Sequence, residues 1–298
     1  MTTRRAWLKT TALASCTILL PRRIFAAQSL EDFLAALEAG SGGRLGVAFL
    51  DTATGRIAGH RLNERFPMCS TFKTLAVAAV LTRVDAGQEH LDRRIPIAQS
   101  DILEYAPVTK THVGPSGMTV RELCAAAITL SDNTAANLLL NTLGGPAAIT
   151  NFAGTLVDPM TRLDRNEPTL NEAIPYDPRD TTTPQAMARD LEHLLIGTAL
   201  SPDSRTLLKN WMLDCKTGLK KIRAGVPSNF LVADKTGAGE RNTSNDIAVL
   251  YPPSGSPKIL TIYVTDSRLA DSDAQAAVIA NATKACIASL QPSSPYAL

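Results

Sequence analysis

Leu45-Gly46-Val47-Ala48-Phe49-Leu50, followed by Asp51-Thr52-Ala53-Thr54-Gly55 and then Arg56 to Arg61, is the stretch that decides the fold. The apolar run reads as a β-strand, the Asp/Thr/Gly segment as a turn, and the segment after it as the returning strand of a hairpin. A helix precedes it, Leu30 to Ala39, with Leu30, Phe33, Leu34 and Leu37 on one face and the glycines Gly40, Gly42 and Gly43 ending it. Strand patterns return at the other end of the chain, over Phe230 to Lys235, Asp246 to Tyr251 and Ile259 to Thr265, and a last helix covers about Ser272 to Leu290.

Between these ends the pattern is helical. Ser70 to Gly87 holds a stretch, Leu75 to Leu81, that is apolar all round, which predicts a buried helix stopped at Gly87. Thr119-Val120-Arg121-Glu122 has capping-box spacing and opens a helix to Leu130. Asn133 to Leu143 is another, closed by Gly144-Gly145, with Pro146 placed to start the next. Residues 161–184 are rich in Pro, Asp, Asn and Thr and read as a long loop, a length that is usually functional. Helices resume over Pro184 to Leu195 and Pro202 to Met212. Strands at both ends and helices in the middle predict an α+β fold. One antiparallel sheet of about five strands is built from both chain ends and flanked by helices, with an all-helical half inserted.

The chain has 298 residues, 45% hydrophobic and 19% charged, enough for one large domain or two interleaved halves. A net charge of +2 without a Lys/Arg run excludes a phosphate-tracking nucleic-acid surface. Beyond the amino terminus no apolar run approaches the roughly 18 to 20 residues a membrane span needs. Residues 1–27 read as an export signal. Thr3-Arg4-Arg5-Ala6-Trp7-Leu8-Lys9 resembles the twin-arginine consensus, an apolar run from Ala12 to Leu20 follows, and Ala26 and Ala27 offer a cleavage region. Leu13-Ala14-Ser15-Cys16 also resembles a lipoprotein box, ranked second because the apolar region before Cys16 is very short. Removing the signal leaves Cys69, Cys124, Cys215 and Cys286, none in a C-x-x-C pair, so no metal or redox motif is expected.

Ser70-Thr71-Phe72-Lys73 places a hydroxyl and an amine three residues apart at a helix start, on one face and within reach of each other. A serine needs such help to act as a nucleophile near neutral pH. The helix amino terminus adds N–H donors and positive potential for a developing oxyanion. Ser131-Asp132-Asn133 falls at a helix break, where the residue types suit capping equally with a proton-relaying hydroxyl and a substrate-holding amide. Lys235-Thr236-Gly237 ends an apolar strand, either as an ordinary strand end or as a cation and hydroxyl for a substrate carboxylate.

The order S-x-x-K, S-D-N, K-T-G is the signature of the penicillin-binding protein and serine β-lactamase superfamily, and the chain after the signal resembles a class A β-lactamase over nearly its whole length. The resemblance extends to Arg162-Leu163-Asp164-Arg165-Asn166-Glu167-Pro168 and Asp180-Thr181-Thr182-Thr183-Pro184, which bracket the family's Ω loop at about 162–180. It implies an α/β half over 28–65 and 213–298 and a helical half over 66–212. It also implies a periplasmic monomer without cofactor or metal, acting on small β-lactam substrates and inhibitors without stable membrane insertion. Ser70 would be acylated, with the backbone N–H groups of Ser70 and Ala238 as oxyanion hole and Lys73 or Glu167 as acylation base. Ser131 would pass a proton to the leaving nitrogen. Lys235, Thr236, Gly237, Asn133 and Tyr105 would contact substrate. Glu167, with Asn171, would activate the deacylating water, and this carboxylate distinguishes the reading from a D-Ala-D-Ala peptidase or a penicillin-sensing domain. The family also implies an Arg165–Asp180 pair and a cis Glu167-Pro168 peptide. The expected substrates are penicillins and cephalosporins, with carbapenems left open.

Three positions depart from the family's pattern. Val77 stands where many members have the cysteine that pairs with the Cys124 position, so Cys124 is expected free. Gly239 removes the partner that some carbapenem-hydrolysing members give the cysteine at position 69, which makes Cys69 a small buried packing residue. Ser244 takes the place of a carboxylate-supporting arginine. Lys221 sits where other members supply that arginine, either as a substitute without the guanidinium fork or as a solvated loop lysine.

Overall fold

The computed structural model describes residues 29–290; the export-signal reading, including Cys16, lies outside them. Helix α1 (Leu30–Ser41) starts at Ser29, whose hydroxyl accepts from the Asp32 N–H, and ends at Gly42 in the left-handed region that glycine tolerates. Strand β1 (Arg44–Asp51) turns back into β2 (Ile57–His60), as the opening hairpin requires. The two-residue β3 (Phe66–Pro67) leads into α2 (Phe72–Asp85), whose residues from Phe72 to Leu81 are all buried, so the apolar run is surrounded by protein. A small antiparallel ribbon follows, β4 (Arg94–Ile97) on β5 (Gly114–Thr119). The middle of the chain therefore carries strand pairing in addition to its helices. Pro96 in one partner and Gly114-Pro115-Ser116-Gly117 in the other read as turn chemistry and hide it.

Helix α3 (Val120–Thr129) carries the expected capping box, with Thr119 and Glu122 each bonding the other's backbone N–H. Helix α4 (Asn133–Leu143) is capped by Asp132 and ended by Gly144, and α5 (Ala147–Thr155) follows Pro146. The long loop then runs to β6 (Thr181–Thr182), which pairs with β3. Helices α6 (Pro184–Leu195), α7 (Pro202–Leu213) and the short α8 (Ile222–Gly225) precede β7 (Leu231–Gly239), β8 (Thr243–Tyr251), β9 (Lys258–Thr265) and α9 (Ser272–Ala288).

The large sheet has the order β2-β1-β9-β8-β7 with every neighbour antiparallel, so β1 from one chain end pairs with β9 from the other. Strand side chains alternate between two cores. Leu45, Val47 and Phe49 of β1 join Leu260, Ile262 and Val264 of β9 against Leu34 of α1 and Ile279 of α9. Ala48 and Leu50 face the other way, into the core built around α2. Strand β7 runs four residues beyond Lys235, where its apolar pattern ends, and stays paired with β8 to Gly239↔Thr243. It does so because glycine lets it pass close to the turn before α2. A Cβ on Gly237 would lie 2.8 Å from the Met68 carbonyl oxygen, and one on Gly239 would lie 2.7 Å from Cys69 Sγ. That approach brings the K-T-G segment to the Ser70 turn. Cys69, Cys124, Cys215 and Cys286 are all buried and free, which agrees with Cys124 lacking a partner at Val77.

Candidate active site

Three of the backbone's non-glycine positive-φ residues flank one cleft: Cys69 (45°), Ser131 (60°) and Asp180 (59°). Such strain persists only where the surroundings fix it. Cys69 precedes the nucleophile candidate in a 3₁₀ turn, Cys69–Thr71, that feeds directly into α2. Ser131 sits at the α3–α4 break, and Asp180 closes the long loop.

The structure brings Ser70, Lys73, Ser131, Asn133, Glu167, Asn171, Lys235 and Thr236 into one hydrogen-bonded set. The Ser70 hydroxyl donates to Glu167 Oε1 at 3.2 Å, and Lys73 Nζ approaches the same oxygen at 3.0 Å. Sequence spacing predicts a direct reach from amine to hydroxyl; the structure instead bridges them through Glu167, a group the local pattern could not supply. Lys73 Nζ also donates to the Ser131 carbonyl at 2.8 Å and to Asn133 Oδ1 at 2.6 Å. Its ammonium is fully buried, and burial draws it below the usual lysine range while the Glu167 carboxylate pulls it back up. Lys235 Nζ donates to Ser131 Oγ at 2.9 Å and to the Thr236 carbonyl at 2.7 Å, so the Ser131 hydroxyl lies between two amines. Burial, reinforced by the nearby Lys73 charge, pulls Lys235 down to about 7.

Glu167 is held from three sides. Asn171 Nδ2 donates to Oε2 at 2.5 Å. Asn137 brackets the backbone, accepting from the Glu167 N–H at 3.0 Å and donating to its carbonyl at 2.9 Å. Asn137 lies in no sequence motif. The signal available was its place four residues after Asn133, on the same face of α4. The Glu167-Pro168 peptide is cis, as the resemblance implies.

Asp132 turns away from the cleft. It caps α4 through Ala135 N–H and accepts from the N–H groups of Val108 and Thr109 and from the Thr109 hydroxyl. It thereby anchors the segment carrying Tyr105, half exposed at the rim, whose carbonyl accepts from the Asn133 N–H. Thr236 Oγ1 lies 2.5 Å from Thr217 Oγ1, a second partner that spacing did not reveal. Lys221 is tucked against the strands, donating to the Asn245 carbonyl at 3.0 Å and the Gly237 carbonyl at 3.3 Å. Burial lowers its ammonium below the usual range, so it is neither a freely solvated lysine nor a fork to substrate in this geometry. Ser244 pairs with Ala238 across β7 and β8. Ala238 lies exposed on the strand beside the Ser70 turn.

The loop is locked at its neck. Arg165 Nε donates to Asp180 Oδ2 at 2.6 Å, while Asp180 Oδ1 accepts from the N–H groups of Asp164 and Arg165. Asp180 is fully buried. Replacing it with Ala leaves Arg165 and two N–H groups unmatched, a loss of about 3 kcal/mol. For a domain of this size that corresponds to a melting temperature about 6 to 12 °C lower by calorimetry. An unchanged melting curve would show that the neck pair does not hold the loop.

A model of the β-lactamase enzyme family matches residues 29–290. The β-lactamase CTX-M-25 of Escherichia coli is 48% identical over 264 residues, 89% of this chain and 90% of that protein. The β-lactamase L2 of Stenotrophomonas maltophilia is 50% identical over 234 residues, 78% of this chain and 77% of that one. The solved structure of an ancestral (GNCA) class A β-lactamase is similar with a TM-score of 0.86 at 59% identity, covering 88% of this chain and 100% of its own.

Proposed function

The chain belongs to the β-lactamase enzyme family and hydrolyses β-lactams as a class A enzyme, conferring resistance to them; from that premise we propose that Ser70 is the acylated nucleophile and Glu167 the base that frees it. The observation that carries this is the sharing of Glu167 Oε1 between the Ser70 hydroxyl at 3.2 Å and Lys73 Nζ at 3.0 Å. One carboxylate is in place to take the serine proton and, later, to activate water against the ester formed there.

The reaction proceeds in two halves. Ser70 Oγ attacks the lactam carbonyl as its proton passes to Glu167, and the N–H groups of Ser70 and Ala238 receive the oxyanion. As the tetrahedral intermediate collapses, the lactam C–N bond breaks and the Ser131 hydroxyl protonates the leaving nitrogen, its own proton replaced from Lys73 or Lys235. Lys235 and Thr236 hold the substrate carboxylate, Asn133 and Gly237 accommodate the rest of its polar frame, and Tyr105 walls the rim. Glu167 passes the serine proton across its 3.0 Å contact to Lys73, which makes good the proton supplied to Ser131, directly or by way of Lys235, and leaves Glu167 a carboxylate again. Water, positioned by Glu167 and Asn171, then attacks the ester carbonyl and gives Glu167 its proton. As the Ser70–acyl bond breaks, Glu167 returns that proton to Ser70 Oγ, 3.2 Å away, and the open acid leaves. Penicillins and cephalosporins are the proposed substrates. A chromogenic cephalosporin, followed by a penicillin and a carbapenem, tests this: sustained turnover of the first two is expected, and a single burst that stops after one equivalent contradicts the role of Glu167.

Lys221 is proposed to support the carboxylate end of the cleft through the Gly237 carbonyl it grips. Lys221→Ala is expected to raise KM for penicillins and cephalosporins about tenfold, the worth of one charged hydrogen bond, with kcat within about twofold. Steady-state kinetics with an unchanged KM removes the assignment.

Residues 1–27 are proposed to export the enzyme to the periplasm by the twin-arginine route, on the strength of Arg4-Arg5 ahead of a short apolar run. Changing both arginines to lysine is expected to retain activity in the cytoplasmic fraction. Wild-type periplasmic activity in that variant contradicts the route.

A further inference from the structure

Between the long loop and the sheet lies a cavity of about 720 Å³ whose lining includes none of Ser70, Lys73, Ser131, Glu167 and Lys235. This is within the range of roughly 300 to 1,000 Å³ typical of small-molecule sites. One wall is the loop itself, through Arg165, Leu170 and Ala173 to Arg179; the other is the sheet side, through Arg44 at the start of β1, Arg65 and Pro67 near β3, Arg241, and Asp266 after β9. Five arginines line it, Arg44, Arg65, Arg165, Arg179 and Arg241, against three carboxylates, Glu64, Asp177 and Asp266. Arg165 is matched by Asp180 and Glu172, which lie outside the lining, so the guanidiniums open to a ligand are those of Arg44, Arg65, Arg179 and Arg241.

The way these arginines are held bears on what they can bind. Arg65 forms no ion pair with any described residue; its guanidinium donates to the Met160 carbonyl and to Thr181 Oγ1. Arg44 is paired with Glu64, Arg179 with Asp177 and Arg241 with Asp266; the arginine side chains are 36% to 45% exposed, while Asp177 and Asp266 are more covered. The Arg44–Glu64 pair, exposed on both sides, contributes little, and each arginine is open enough to solvent for a ligand anion to reach its guanidinium. Planar forks arranged around a concave space suit phosphate and carboxylate, which they bind through two parallel hydrogen bonds.

We propose that this cavity binds a small polyanion, a ligand with two or more phosphate or carboxylate groups, which bridges the sheet-side arginines to Arg179 of the loop and clamps the loop against the sheet. The bridge is independent of the chemistry at Ser70, and binding is measured without reference to turnover.

Isothermal titration calorimetry of the mature enzyme at constant ionic strength, with inorganic pyrophosphate in one arm and citrate in the other, tests the proposal. Saturable one-to-one binding is expected in at least one arm, and which arm responds assigns the phosphate or carboxylate class. Arg65→Gln and Arg241→Gln are each expected to weaken it about tenfold, the loss of one charge-assisted contact. Hydrogen exchange of residues 172–179 should slow on binding in the parent enzyme. Absence of saturable binding in both arms overturns the proposal. So does binding that both arginine variants retain, or binding that is lost instead in Lys235→Gln, which would place the anion in the catalytic cleft.

Discussion

Replacing Glu167 with Gln is expected to leave a protein that is acylated by a cephalosporin but released from it about a thousandfold more slowly, within the range a positioned general base supplies. The substitution keeps the size of the side chain and its contact with Asn171, so the loop has no steric reason to move. Acylation survives for an electrostatic reason. Burial already lowers the Lys73 ammonium, and the Glu167 carboxylate is the largest influence holding it up. Removing that negative charge drops Lys73 further, which favours the neutral amine that can accept the Ser70 proton. A buried lysine without a counter-charge favours its neutral form. Deacylation has no such substitute, because no other described carboxylate reaches Ser70 Oγ. Stopped-flow burst kinetics separates the halves: a burst of one equivalent followed by a slow steady state is expected. A normal steady-state rate removes Glu167 from the mechanism.

Replacing Ser70 with Ala is expected to lower kcat by on the order of 10⁵ to 10⁶, the loss seen when a hydrolase nucleophile that acts as a unit with its base is deleted. The variant should fold as the parent does. The Ser70 hydroxyl donates a single hydrogen bond, to Glu167, and that carboxylate retains Lys73 at 3.0 Å and Asn171 at 2.5 Å. A melting temperature within a few degrees of the parent, with activity gone, separates chemistry from stability. Residual hydrolysis within a factor of about a hundred of the parent would point to direct attack of water and not to an acyl-enzyme.

Much of this site is legible in the sequence because its parts lie on elements with strong local signals. The apolar run from Leu75 to Leu81 gives a buried helix, and a buried helix needs a fixed start, which puts Ser70 and Lys73 in a rigid place. The Thr119–Glu122 capping box and the glycines after Leu143 bound α3 and α4, so Ser131-Asp132-Asn133 is read correctly as a break between helices. What escapes is what depends on tertiary approach. The spacing of Ser70 and Lys73 predicts direct contact, but a carboxylate from 97 positions further along the chain enters between hydroxyl and amine. Asn137 carries no motif, since its function is to hold the Glu167 backbone across space. The extension of β7 to Gly239 is invisible to an apolar pattern that stops at Lys235, because what the strand needs there is the absence of side chains. The β4–β5 ribbon is hidden for the converse reason, as Pro96 and the Gly114–Gly117 segment look like turns. The arginines of the cavity behind the loop come from four separate segments, and their convergence is a product of the fold alone.

In the proposed mechanism a covalent ester forms on Ser70 and Glu167 undoes it. Rapid-quench intact-mass spectrometry with peptide mapping tests it directly, with a cephalosporin mixed against the parent, Glu167→Gln and Ser70→Ala enzymes. A transient adduct is expected in the parent, a persistent one in Glu167→Gln that maps to the peptide containing Ser70, and none in Ser70→Ala. An adduct on another residue, or hydrolysis at the parent rate by Glu167→Gln with no adduct at any time, would contradict it.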